Sequence, residues 1–212
     1  MVLDRFRKNI DPLLIIIAKK FLKINPNLLT WVSVVFAFFA GVFFYISTPK
    51  MELANYYLIA AAFFVFLNGL FDAIDGKVAK LTKKTSLRGD FLDHALDRYA
   101  DVLMLGGLAL SSWCDLRLGL FAIIGMLLTS YMGTQSQAIG NKRDYSGLLG
   151  RADRLVFLMI APLLQHLLLR YNIQILFGFS LLNWLLIYFA VIGNITAIQR
   201  FFSTLRWFKR KK

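Results

Sequence analysis

Apolar residues gather in long stretches along the chain, each closed by a short polar or glycine-bearing connection. A helix that crosses a bilayer needs about 20 mainly apolar residues. On that criterion and its boundary signals the sequence predicts six spans, near 28–47, 53–80, 89–110, 116–139, 155–169 and 175–198. Ahead of them, the apolar run from Leu13 to Ala18 is short, follows Asp11-Pro12 and leads into Lys19-Lys20 without a small-residue cleavage site. That is a poor signal peptide. With Arg5, Arg7, Lys8, Lys19, Lys20 and Lys23 around it, the segment reads as an amphipathic helix lying on the membrane surface. The expected fold is therefore an all-α integral membrane protein of one domain, 1–212, with an interfacial helix over 1–24 and a bundle of six transmembrane helices over 25–212.

Composition agrees. The chain is 58% hydrophobic, where soluble domains run nearer 45–50%, and its mean hydropathy is +0.60. The single Cys114 excludes an internal disulfide. A net charge of +13 raises nucleic acid as a partner, but its distribution says otherwise. Basic residues cluster at the N-terminus, over 77–88, over 142–154 and at the C-terminus, while the alternate connections carry only Lys50, Arg117 and Arg170. This is the positive-inside pattern. It excludes nucleic acid, places both termini and the basic connections in the cytoplasm of a multi-pass cell-membrane protein, and attracts anionic headgroups.

Carboxylates mark the chemistry. Residues 71–101 hold six of the twelve acidic residues. Asp72 and Asp75, three apart, share a helix face, and Asp90, Asp93, Asp97 and Asp101 form a second one-sided stripe. If the two flanks are antiparallel helices joined near Lys84 and Thr85, Asp72 lies level with Asp97 and Asp75 with Asp93. Four carboxylates then meet just inside the membrane, where ionised groups are costly and mark function. Mutual repulsion demands cations, and hard oxygen ligands suit Mg²⁺, Mn²⁺ or Ca²⁺. Spacing alone does not separate a general base from the metal ligands. Asp90, near the surface, reads as a cap or a solvated group, Asp101 as the partner of Arg98, and His94 as a packing or hydrogen-bonding residue.

The segment Asp72-x-x-Asp75-Gly76-x-x-Ala79-Lys80, eight residues, then Gly89-x-x-x-Asp93-x-x-x-Asp97 resembles the signature of class I CDP-alcohol phosphotransferases. Seven of the eight fixed positions match; the departure is Lys80, where the family usually has arginine, so charge is kept and the bidentate fork is lost. The resemblance implies a transferase that moves a phospho-substituted group, phosphatidyl or archaetidyl, from a CDP-linked lipid to a small alcohol and releases CMP. It also implies Mg²⁺ or Mn²⁺, in two sites, held chiefly by Asp72, Asp75 and Asp93, with Asp97 beside the metals as general base. Nucleotide contacts fall to Asn27, Thr30, Gly76, Ala79, Lys80 and Gly89, and a homodimer is usual in the family. Asn27 and Thr30 also read as caps for the first span, and the glycines as packing positions.

The acceptor side is less marked. Related enzymes with phosphorylated acceptors carry basic residues at the end of the fourth span, whereas 131–137 here has none; Gln135 is the polar candidate there. Arg151 and Arg154 stand nearby in sequence and read equally as acceptor contacts or as positive-inside anchors. A second enzyme reading moves a CDP-linked polyol and gives a soluble phosphodiester. A divalent-cation transporter is the rival from another class, since intramembrane acids also line ion paths. Such a path needs charge toward the midplane and beyond, and the outer halves of these spans carry no acidic residue.

Overall fold

In the computed structural model the described residues, 7–49 and 52–211, form seven helices. These are α1 (Arg7–Lys19), α2 (Pro26–Ile46), α3 (Glu52–Leu81), α4 (Leu87–Ala109), α5 (Leu116–Ala138), α6 (Arg151–Arg170) and α7 (Leu181–Lys211). Arg5 and Lys50 of the charge pattern lie outside the described residues, as do the side chains of Arg7 and Lys8. Helices α2, α3, α5, α6 and α7 are long and apolar enough to cross a membrane. Helix α4 has 23 residues, but Arg88, Asp90, Asp93, Asp97, Arg98 and Asp101 fill its first four turns and lower its hydropathy. Composition thus gives five spans where the sequence reading expects six.

Helices α2 to α7 close into a ring in the order α2, α3, α6, α7, α5, α4, each packed on two neighbours. Helices α3 and α4 are not packed side by side along their length, because α2 wedges between them. The wedge is close. A Cβ on Gly107 would fall on the backbone of Gly41, and one on Gly41 would fall on the Leu103 carbonyl. In a membrane, helix association depends on such backbone approach and on a few interhelical hydrogen bonds. The α5–α7 seam has the same character: Thr129 Oγ1 donates to the Gly193 carbonyl at 2.9 Å, and Asn194 Nδ2 donates to that of Phe121 at 3.1 Å. Ala37, Ala40, Phe44, Met104, Leu108, Met126, Leu186 and Phe189 fill the space between these seams.

Helix α1 is seated on α3 and the start of α2. Ala18 is buried with Leu29, Ile74 and Val78, Phe21 meets Phe71 edge-on at 5.8 Å, and Lys77 Nζ lies 2.9 Å from Asp11. Leu13 and Ile16 on its other side are exposed.

Several local expectations change. The cap of α2 is Asn25, which accepts from Asn27 N at 3.0 Å, because Pro26 occupies the first helical position. Thr30 Oγ1 donates to the Pro26 carbonyl at 3.2 Å. Trp113 reads in sequence as an interfacial anchor, but it is buried and its Nε1 donates to Ser47 Oγ at 2.9 Å. The last helix starts at Leu181, six residues after the expected 175, since 171–180 turns back on itself. That turn carries left-handed Asn172, Phe177 and Gly178 and a bridge between Leu176 and Phe179. Buried Gln165 holds it by accepting from Leu181 N at 2.7 Å. The apolar Ile-Leu-Phe-Gly-Phe run conceals a turn.

The α2–α4 contact is testable with paired substitutions. Gly106 and Gly107 gain equal helix propensity, up to about 1 kcal/mol, on conversion to alanine, but only Gly107→Ala places a methyl in a neighbouring backbone. Overpacking of this kind costs about 1–3 kcal/mol. Gly107→Ala should melt at least about 2 °C below Gly106→Ala in detergent, read by scanning fluorimetry, and equal melting temperatures would disprove the close approach.

Candidate active site

The carboxylates converge at the end of the ring where α3 turns into α4. Lys83, in the left-handed region at φ 54°, turns the chain. Ser86 Oγ caps α4 by accepting from Gly89 N at 3.1 Å, so Asp90 is not the cap. It lies in the first turn, exposed, with Oδ1 3.4 Å from His94 Nε2. From α3 and α4, Asp72, Asp75 and Asp93 can each offer an oxygen within 4.8 Å of the others'. Asp93, His94 and Asp97 form a second such group, so His94 stands closer to metal-binding geometry than its neighbours in sequence indicate.

Burial makes this cluster demanding. Asp75, Asp97 and Asp101 are 5%, 8% and 2% exposed, and an isolated buried carboxylate costs several kcal/mol. Helix α6 brings the compensating charge. Its N-terminus is fixed by Asp153, whose Oδ2 accepts from Gly150 N at 2.9 Å. Arg151 Nη1 then lies 2.7 Å from Asp72 Oδ2 and 2.8 Å from Asp97 Oδ1. Arg154 Nη2 donates to Asp101 Oδ2 at 2.5 Å. The sequence reading pairs Asp101 with Arg98, but Arg98 Nη1 donates to Asp97 Oδ2 at 3.1 Å. Asp101 faces inward, where α6 supplies the nearer guanidinium. Both arginines in the first turn of α6 therefore bind carboxylates of the cluster.

Three carboxylate oxygens remain without a hydrogen-bond donor among the described residues: Asp72 Oδ1, Asp75 Oδ2 and Asp97 Oδ1. The last is at ion-pair distance from Arg151 but out of line for a hydrogen bond. Buried acceptors are normally satisfied. Hard, anionic oxygens from two helices, close together and lacking donors, fit Mg²⁺ or Mn²⁺.

The other residues expected at the site divide. Asn27 Oδ1 lies 3.5 Å from where a Gly89 Cβ would sit, and Thr30 is beside Asp75, so these three border the cluster. A Cβ on Gly76 would meet nothing within 4 Å; the helix is open there. Ala79 is half-buried and Lys80 exposed one turn further along α3. Gln135 is exposed, and among the described residues its side chain forms no bond to the carboxylates. Reading the sequence misses Arg98 as a partner of Asp97, and Arg143 and Arg200. Arg200 is buried, donating to the carbonyls of Thr129 at 2.7 Å and Ser146 at 2.8 Å. Its signal was available: it is the only basic residue between Arg170 and Arg206. Arg143 faces Arg98, His94 and Arg200, and its Nη1 has no hydrogen-bond partner among the described residues. Asp144, outside the spans, balances this charge. Burial opposes its ionisation, but hydrogen bonds from Ser146 and Ser203 and the charge of Arg200 hold it below the usual carboxylate range.

An all-helical ring of membrane-span helices with an acid cluster at one end defines a multi-pass membrane enzyme. The chain belongs to the CDP-alcohol phosphatidyltransferase family, whose model matches residues 23–196. It is a CDP-alcohol phosphotransferase. The chain is 31% identical over 142 residues to the archaetidylinositol phosphate synthase of Pyrococcus horikoshii, covering 67% of this chain and 71% of that one. The fold is similar to that of Mycobacterium tuberculosis phosphatidylinositol phosphate synthase. Its complex with manganese and citrate gives a TM-score of 0.71 at 23% identity, covering 91% of this chain and 88% of that one. Its form with CDP-DAG bound gives 0.69 at 21%, covering 90% and 92%.

The charge pairing of α6 is open to test. Arg154→Met leaves Asp101 with only the 3.8 Å approach of Arg151 Nε. Breaking a buried pair from one side costs about 3–5 kcal/mol. The single variant should lose that much stability in a denaturant titration, and Asp101→Leu combined with Arg154→Met should recover most of it. A double variant no better than the single would show that Arg154 acts by packing alone.

Proposed function

We propose that this enzyme transfers a phosphatidyl or archaetidyl group from a CDP-linked lipid to a small phosphorylated alcohol, of the inositol phosphate kind, with release of CMP. The observation that carries the reading is the meeting of Asp72, Asp75 and Asp93 next to Asp97, with donorless oxygens on Asp72, Asp75 and Asp97. Asp72, Asp75, Asp93 and Asp97 would hold two divalent ions, Mg²⁺ or Mn²⁺. When bound, such ions neutralise a pyrophosphate and stabilise the leaving phosphate.

The chain's own groups supply the rest. Asp97, beside Arg98, accepts the proton of the acceptor hydroxyl as its oxygen bonds to the lipid-linked phosphorus and the bond to CMP breaks. Open space at Gly76 admits the cytidine, with Asn27, Thr30, Ala79 and Gly89 along its edge, and exposed Lys80 supplies charge toward the phosphates. For the acceptor, the relative's name and the arginines argue together. Basic residues absent from 131–137 are replaced by Arg143, with Arg98 and Arg200 behind it. An open groove of about 760 Å³, lined by Lys142, Arg143, Arg206 and Trp207 among others, gives a polar approach from the basic side. This arrangement favours a phosphorylated acceptor over a neutral one, with Arg151 and Arg154 occupied by carboxylates and Gln135 remote. Helix α4 would cross as a sixth span with its acids inside the ring, α1 would rest in the interface, and the positive-inside pattern sets the active site and both termini in the cytoplasm. The family resemblance also supports a homodimer.

Purified protein with Mn²⁺ and CDP-linked lipid should release CMP with inositol phosphate at least tenfold faster than with inositol. Equal rates would remove the anionic acceptor, and no release with a broad set of alcohols would remove the reading. Asp97→Asn should lower kcat by about 10²-fold or more with the melting temperature kept. Lys80→Arg should retain activity.

A further inference from the structure

The two halves of the carboxylate cluster are not alike. Asp75 and Asp93 form no ion pair with any arginine among the described residues. The seat between Asp72, Asp75 and Asp93 is therefore open to a cation. Between Asp72 and Asp97, by contrast, stands a single guanidinium nitrogen, Arg151 Nη1, at 2.7 Å from one carboxylate and 2.8 Å from the other. It donates in line to Asp72 and lies out of line with Asp97. An Mg²⁺ or Mn²⁺ ion bound to those same two oxygens would sit about 2.1 Å from each, inside the volume that Nη1 fills. Nitrogen and metal ion exclude one another there.

We infer that Arg151 fills the second of the two cation seats and yields it when a second divalent ion binds, so that the two ions load unequally. This rests on the two-ion reading given above. The rest of the site is arranged for the exchange. Arg151 Nε has no hydrogen-bond partner among the described residues, and its approach to Asp101 Oδ1 is long at 3.8 Å. Asp101 is already paired with Arg154 at 2.5 Å. Departure of Arg151 therefore leaves no carboxylate unpaired once the ion has taken Asp72 and Asp97. Arg98, on the other oxygen of Asp97, stays in place. Until the exchange, Asp97 is covered by Arg151, so the arginine ties the group nearest the acceptor to the loading of the second ion. Arg151 is in this sense a positioning residue.

Mn²⁺ titration of the full-length protein in detergent, followed by calorimetry and by the EPR signal of free Mn²⁺, tests the exchange without turnover. The wild type should show one tight site and a second at least tenfold weaker. Arg151→Gln should tighten the second site tenfold or more, about 1.4 kcal/mol, and leave the first within threefold. Arg143→Gln removes a nearby charge from a residue that forms no ion pair with a carboxylate among the described residues, and should preserve the gap. Equal sites in the wild type, an unchanged second site in Arg151→Gln, or the same tightening in Arg143→Gln would each overturn the inference. A folding defect in the variant is bypassed by the wild type itself. Phenylglyoxal labelling of Arg151, quantified by mass spectrometry, should rise at least threefold as the second site fills, and an unchanged rate would overturn the exchange. If no variant and no wild-type sample binds Mn²⁺, the metal reading falls with it; if the wild type binds two ions and only the Arg151 effects are missing, the metal reading stands.

Discussion

A patch of carboxylate charge inside a bundle of apolar helices is the constraint that the rest of the structure answers. Asp75, Asp97 and Asp101 are almost wholly removed from solvent, and such groups persist only when opposite charge is delivered to them. Asp75 has no arginine partner among the described residues, whereas for Asp97 and Asp101 the delivery comes from α6, which is far from the acids in sequence but beside α3 in the ring. Its N-terminus must be fixed for Arg151 and Arg154 to arrive at 2.7 Å and 2.5 Å from their partners. The Asp153 carboxylate on Gly150 N does this. One short run, Gly150 to Arg154, thus ends a connection, starts a helix and neutralises the acids of two others.

The wedge of α2 explains how the acids come together at one end and remain apart elsewhere. With no side chain at Gly41 or Gly107, the α2 and α4 backbones approach closely, and α3 is held on the other side of α2. Only beyond the N-terminal end of α2, near Asn27 and Thr30, can α3 and α4 face one another across the cluster. This makes the Pro26 turn part of the site: its residues border the space that the wedge leaves open. Packing and chemistry are the same feature read at two depths of the bundle.

Charge also divides the site into a carboxylate half and an arginine half. Arg98, Arg143 and Arg200 approach from α4, from the connection after α5 and from α7, and Asp144 with its hydrogen bonds to Ser146 tempers their repulsion. Under the proposed function a donor with a pyrophosphate and an acceptor with its own phosphate would have different needs. The first would be served by metal ions on carboxylates, the second by guanidinium groups directly. On the proposed reading, the two halves would receive two anionic substrates at separate places.

Much of this was legible in the order of residues. The spans, the alternation of basic connections and the Asp72 to Asp97 spacing all depend on local periodicity, which a linear sequence carries in full. The helix start at Pro26 follows from proline, whereas α6 starts at Arg151, four residues before the expected 155. What periodicity cannot carry is partnership between distant segments. Asp101 had a plausible partner three residues away and found its closer one 53 residues on; Arg200 escapes the sequence reading and is buried against Thr129. The turn at 171–180 hides in an apolar run because hydropathy does not record backbone direction. The sequence by itself determined which carboxylates share a helix face and on which end of their helices they lie. Only the tertiary structure decided which arginine neutralises which acid, since that depends on the order in which six helices close their ring.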